Sequence, residues 1–103
     1  MTRTLAALCL ILVGACTRQP PPDATGAEIY TAVCAGCHTE DLSGGIGPAL
    51  GPGSNAAAQD DEFLLLTVTR GRGRMPSFET TLSPEQIERV VEYLRSRQSA
   101  EAS

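Results

Sequence analysis

Residues 34–38 read CAGCH, two cysteines three apart with a histidine directly after the second. The motif constrains the fold because of what surrounds it. Residues 24–103 are the part that reads as folded, and a core that small is marginal without a staple, a metal or a cofactor. The chain has four cysteines, Cys9, Cys16, Cys34 and Cys37. The first two lie in or next to an N-terminal segment that reads as a targeting signal, which leaves only the pair inside the motif. Two residues three apart make a poor long-range staple. A large buried cofactor is therefore expected.

Residues 1–16 read MTRTLAALCLILVGAC. Arg3 gives a short positive start, and the apolar run that follows is too short to span a bilayer. This is the shape of an export signal. The stretch LVGAC resembles a bacterial lipobox, in which small residues precede a cysteine that is acylated and becomes the mature N-terminus. That resemblance implies a signal over residues 1–15 and a lipid on Cys16. Cleavage by ordinary signal peptidase and an uncleaved anchor are the alternatives. Residues 17–23, TRQPPPD, then favour an extended polyproline spacer, a tether between Cys16 and a domain over residues 24–103. The chain carries a formal net charge of −4, and loss of Arg3 would make it more acidic. An acidic exported domain excludes nucleic acid as a partner. No lysine is present, so every cationic contact must use arginine.

Three helices are predicted and no strand. The first covers residues 25–34, with Thr25 and Glu28 spaced as a capping box and Ile29, Ala32 and Val33 as an apolar stripe. It delivers Cys34 at its end. Residues 42–54, LSGGIGPALGPGS, form an irregular loop whose Ile46, Pro48 and Leu50 are expected to pack against something. The second helix, residues 60–70, has Asp60, Asp61 and Glu62 at its positive end and is apolar nearly all round, so burial on most sides is expected. Gly71 is its stop. The third is the clearest. Ser83 caps it, Pro84 takes the first position, Gln86 completes the box, Leu82 and Ile87 form a staple, and Ile87, Val90, Val91 and Leu94 follow at helical spacing. Residues 97–103 read as a frayed end.

Three uses compete for CAGCH. A structural zinc site needs about four ligands, and the motif offers three, of which adjacent Cys37 and His38 point in different directions. A thioredoxin-like dithiol needs a βαβ setting, which this all-helical pattern lacks. Covalent haem suits every residue: both thiols form thioethers with the vinyl groups, and the histidine reaches the iron from one face. C-x-x-C-H is the attachment signal of c-type haem, and an export signal adds weight to it. A second axial ligand would be His, Met, Lys or Cys. His38 is the single histidine, lysine is absent, the cysteines are used and Met1 leaves with the signal. Met75 remains. It sits in GRGRMPSF, where Pro76 keeps it out of helical geometry and the glycines allow a close-fitting loop.

CAGCH, then GPAL, then RMPSF, then a capped helix ending in VVEYL, together resemble a small bacterial class I cytochrome c over nearly all of residues 24–98. The resemblance implies an all-α fold of three main helices and long loops wrapped around one covalent haem c. It implies that Gly26 on the first helix packs against Tyr93 on the last. Tyr30, four before Cys34, also matches a common family position. It further implies that the backbone carbonyl of Pro48 accepts the ring N–H of His38. Absence of lysine departs from carriers that dock through lysine rings.

The expected function is one-electron transfer by a membrane-tethered cytochrome with His38 and Met75 as axial ligands. The protein would be no enzyme. Its partners would be a redox donor and a redox acceptor, with the membrane reached through the lipid on Cys16, and its place the periplasmic or outer-surface side. Two rivals stand beside this: a haem subunit of a periplasmic dehydrogenase or oxidase complex, and a redox or gas sensor in which Met75 is displaced. Arg70, Arg72 and Arg74 either pair with haem propionates or dock an acidic partner, or are a solvated loop. Asp60, Asp61, Glu62, Glu85, Glu88 and Glu92 read as solvated helix faces.

Overall fold

The computed structural model describes residues 19–100. Among them the helical elements run α1 (Gly26–Ile29), a π-helical turn (Tyr30–Cys34), α2 (Ala35–His38), a 3-10 turn (Ala56–Ala58), α3 (Asp61–Arg70) and α4 (Pro84–Ser99), with no named strand. The expected capping boxes form. Thr25 Oγ1 accepts from Glu28 N while Glu28 Oε1 accepts from Thr25 N, and Ser83 and Gln86 do the same at the start of α4. Each box satisfies two backbone donors that a helix start would otherwise leave unpaired.

The first helix departs from expectation. It does not end at Cys34. After Ile29 the backbone widens, and the N–H of Ala35 reaches back five residues to the carbonyl of Tyr30. Helical geometry then resumes through His38 and stops at Thr39, whose φ of 66° no helix can follow. Neither Gly36 nor the motif's small residues break it.

α1 and α4 cross closely at Gly26, where α1 has no side chain. A Cβ on Gly26 would press into the backbone oxygen of Arg89 and lie 2.8 Å from Tyr93 Cβ. The rings of Tyr30 and Tyr93 then meet at 5.5 Å, tilted by 48°. The core gathers Ile29, Tyr30, Leu42, Leu64, Val68, Leu82, Ile87, Val90, Val91 and Leu94. Leu82 and Ile87 are both buried in it, as a staple requires.

One apolar expectation fails. Leu66 is exposed, because α3 turns Leu64 and Val68 inward and leaves Leu66 on its outer side. Ile46 is 86 % exposed, but it lines a cavity together with its loop neighbour Leu50, which also packs on the core. The chain's end departs as well: α4 continues to Ser99, and Gln98 is buried.

The proline segment is not a free spacer over its whole length. Pro20 is buried, Gln86 Nε2 donates to the carbonyls of Pro20 and Pro21 at 3.4 and 3.1 Å, and Arg89 Nη2 donates to that of Pro22 at 2.7 Å. Proline offers only its carbonyl, and α4 supplies side-chain donors to match.

Gly26→Ala should destabilise the protein by about 1–3 kcal/mol through overpacking at the helix crossing. Urea unfolding of the variant and the parent measures the loss.

Candidate functional site

His38 closes α2 and is buried. Its Nδ1 lies 2.8 Å from the carbonyl oxygen of Pro48. A carbonyl can only accept, so Nδ1 carries the proton and Nε2 keeps a lone pair free to ligate. The loop is bent to make this bond. Gly47 N donates to the carbonyl of Cys37 at 2.8 Å, Gly44 N to that of His38 at 3.1 Å, and Leu50 N to that of Leu42 at 2.9 Å. Gly47 must be glycine, since a Cβ there would stand 2.8 Å from His38 Cε1 and 2.9 Å from Nδ1. The imidazole is thus cradled on one side by bare backbone.

Two further groups hold the turn after His38. Tyr30 Oη donates to the carbonyl of Thr39 at 2.5 Å, and burial above all pushes the phenol up to about 12, so it stays a neutral donor. Thr39 Oγ1, Ser43 Oγ and Ser43 N all donate to Asp41 Oδ1. Those bonds, from Ser43 and then Thr39, lower the Asp41 carboxyl from an ordinary 3.8 to about 2.

Met75 is held by a different device. Arg72 N donates to the carbonyl of Met75 at 3.1 Å and Met75 N to that of Arg72 at 2.9 Å, an isolated antiparallel bridge closed by Gly73 at a φ of 58°. Gly71, at a φ of 74°, lets the chain leave α3 so tightly that a Cβ would lie 2.6 Å from Met75 O. Phe78 N and Ser77 Oγ then donate back to the carbonyls of Val68 and Thr69. The loop is therefore fastened to the end of α3 on both sides of Met75, which is half-buried.

Cys34, Cys37, His38, Pro48 and Met75 all line one cavity of about 850 Å³. Phe63, Leu64 and Val68 of α3 and Val90 and Leu94 of α4 complete its apolar lining. Neither cysteine is in a disulfide; Cys37 is exposed and Cys34 half-buried. Burial pushes the Cys34 thiol up to about 12, with Cys37 as the second cause. The donor set fits haem c: two thiols for the vinyl groups, an imidazole with a free Nε2, a thioether sulfur, and apolar walls for a macrocycle. Among the described residues no group of three His, Cys, Asp or Glu side chains is placed to hold a metal ion.

Other predicted residues divide. Cys16 lies outside the described residues. Arg72 and Arg74 line the cavity, Arg72 with its guanidinium 5.1 Å from the Phe63 ring centroid, whereas Arg70 is not part of the lining. The six acids are exposed, but Asp61 also pairs with Arg95 Nε at 2.7 Å. Gly47 was not singled out from the sequence, although its place directly before Pro48 is the signal that marks it. Arg95 and Gln98 gave no sequence signal at all.

The family description "Cytochrome C oxidase, cbb3-type, subunit III" matches residues 21–94. A cytochrome c6 of Rippkaea orientalis is 32% identical over 114 residues, spanning 98% of each chain. The quinohemoprotein alcohol dehydrogenase ADH IIB of Pseudomonas putida is 31% identical over 83 residues, 80% of this chain but only 12% of that enzyme. Among solved structures, cytochrome c6C of Synechococcus sp. PCC 7002 superposes with a TM-score of 0.60 at 32% identity, over 72% of this chain and 95% of that one.

Asp41→Asn should flatten the acid side of the stability curve. The lowered carboxyl contributes stability above its ordinary 3.8, and loses it as pH falls towards about 2. Acid titration followed by circular dichroism should therefore show a parent that weakens across that window and a variant that changes less within it.

Proposed function

The chain belongs to the class I cytochrome c family of electron carriers with one covalent haem, and on that premise we propose that it is a membrane-tethered one-electron carrier with His38 and Met75 as axial ligands. The observation that carries this reading is the meeting of Cys34, Cys37, His38 and Met75 on one apolar cavity, with His38 Nδ1 already engaged by Pro48. Bound there, haem supplies a one-electron couple.

The residues divide the work. Cys34 and Cys37 would hold the haem, each thiol S–H adding across a vinyl group, so that attachment would be covalent and need no oxidant. His38 presents Nε2, and its Nδ1–H bond to Pro48 keeps the ring oriented and makes it a better donor. Met75 supplies a thioether, which favours the ferrous state and raises the potential. With both side chains ligating, no position would stay open for oxygen or substrate, and the chain would conduct electrons without turning over. Phe63, Leu64, Val68, Val90 and Leu94, on the cavity lining, would keep water from the ring. Arg72 and Arg74, on the lining, would be the cations to pair with propionates or with an acidic partner.

A lipid on Cys16 would tether the domain to a membrane on the exported side. Among the described residues no helix is long and apolar enough to cross a membrane. A dehydrogenase or oxidase is the partner class favoured by the family description and by the match to the dehydrogenase.

Haem-loaded protein should show sharp reduced bands of a low-spin c-haem and a weak far-red sulfur-to-iron band when oxidised. Met75→Ala should abolish the far-red band, lower the potential and admit carbon monoxide, which the parent resists. An unchanged spectrum in that variant removes Met75 as a ligand. Carbon monoxide binding by the parent turns the reading towards a sensor. Cys16→Ser should move the exported protein from the membrane fraction to the soluble fraction, and persistence in the membrane removes the lipid anchor.

A further inference from the structure

The loop that carries Pro48 makes most of its bonds back to its own neighbourhood, to the carbonyls of Cys37, His38 and Leu42. Among the described residues one hydrogen bond ties it to α4. Gln98 Nε2, on the last turn of that helix, donates to the carbonyl of Leu50 at 2.9 Å. Leu50 stands two residues after Pro48, whose own carbonyl accepts from His38.

Gln98 is 9 % exposed, and its other end is fixed too. Arg95 Nη1 donates to Gln98 Oε1 at 2.9 Å. A carbonyl oxygen must face that guanidinium, so the amide nitrogen is turned towards Leu50. Arg95 itself is anchored by Asp61 at 2.7 Å and by the carbonyls of Ala57, at 3.3 Å, and Gln59. The chain of contacts runs from the start of α3, through Arg95 and Gln98, to Leu50, Pro48 and the imidazole.

We infer that Gln98 is a positioning residue for the proximal histidine, setting how closely the Pro48 carbonyl approaches His38 Nδ1 and so how strongly the imidazole donates to iron. The inference rests on His38 being the axial ligand. A carbonyl that draws on the ring N–H makes the imidazole a stronger donor, which favours the oxidised iron. Slackening the loop weakens that bond and favours the reduced state.

The test uses the full haem-loaded protein and two glutamines of one helix. Gln98→Met keeps length and removes the donor. Gln86→Met does the same at the other end of α4, where the amide holds Pro20 and Pro21 instead. Both should cost stability. Gln98→Met alone should raise the midpoint potential, with the reduced fraction at a fixed applied potential rising several-fold. It alone should speed deuterium exchange of the His38 ring N–H in the reduced protein, read by NMR. Equal potentials and exchange in parent and Gln98→Met, with only stability lost, overturn the inference. Equal shifts in both variants overturn it too, since the effect would then be general loosening. If Gln98→Met does not hold haem, Arg95→Met tests the same link by freeing Gln98 Oε1. A smaller upward shift there supports the inference, and no shift overturns it. A parent whose haem shows no histidine ligation removes the ligand reading first, and the inference with it.

Discussion

One hydrogen bond organises the molecule, that from His38 Nδ1 to the Pro48 carbonyl. It joins the end of a helix to the middle of an irregular loop, and it can form only if both arrive at the same place. Local geometry at each end serves that meeting. Thr39 leaves the helix through a positive φ, Asp41 gathers the donors of Thr39 and Ser43, and Gly47 gives up its side chain to make room for the ring. A buried imidazole that lost the bond would keep neither its tautomer nor its orientation.

With no sheet among the described residues to pair loop carbonyls, the side chains of α4 take over part of that task. Gln86 and Arg89 serve Pro20, Pro21 and Pro22, and Arg95 and Gln98 serve Ala57, Gln59 and Leu50. The same helix gives Val90 and Leu94 to the cavity and Tyr93 to the crossing with α1. One amphipathic segment therefore supplies apolar wall, close-packing surface and polar cross-links on successive faces. Such a plan suits a small chain, because a buried backbone group left without a partner is costly.

The sequence was most legible where structure obeys short-range rules. Thr25 with Glu28, and Ser83 with Gln86, are capping boxes whose two members lie within one turn, and both form. The spacing of CAGCH pointed to haem c, and elimination left Met75 as the proposed second ligand, because so few residue types can serve. Gly26 against Tyr93, and Pro48 against His38, came from family resemblance, and both contacts are present. What stayed hidden depended on distant partners. Leu66 reads as core in a run of leucines, yet its burial is decided by which side of α3 meets α4. Pro20 reads as spacer, yet Gln86, 66 positions later, claims its carbonyl. Gln98 reads as frayed end, and its partner Leu50 is 48 positions away.

The wide turn at Tyr30–Cys34 acts as a phase shifter. Each residue of an α-helix advances the side-chain direction by about 100°, and a turn closed five residues back holds one more residue than the ordinary one. Upstream, Gly26 faces α4; downstream, Cys37 and His38 face the cavity, which Tyr30 and Cys34 line from within the turn itself. The extra residue sets the angle between these two fronts. Deleting one residue from this turn would leave CAGCH letter-perfect and the helix more regular. It would also swing the motif by more than a quarter of a circle, so that two cysteines and a histidine of correct spelling would address the wrong side of the protein.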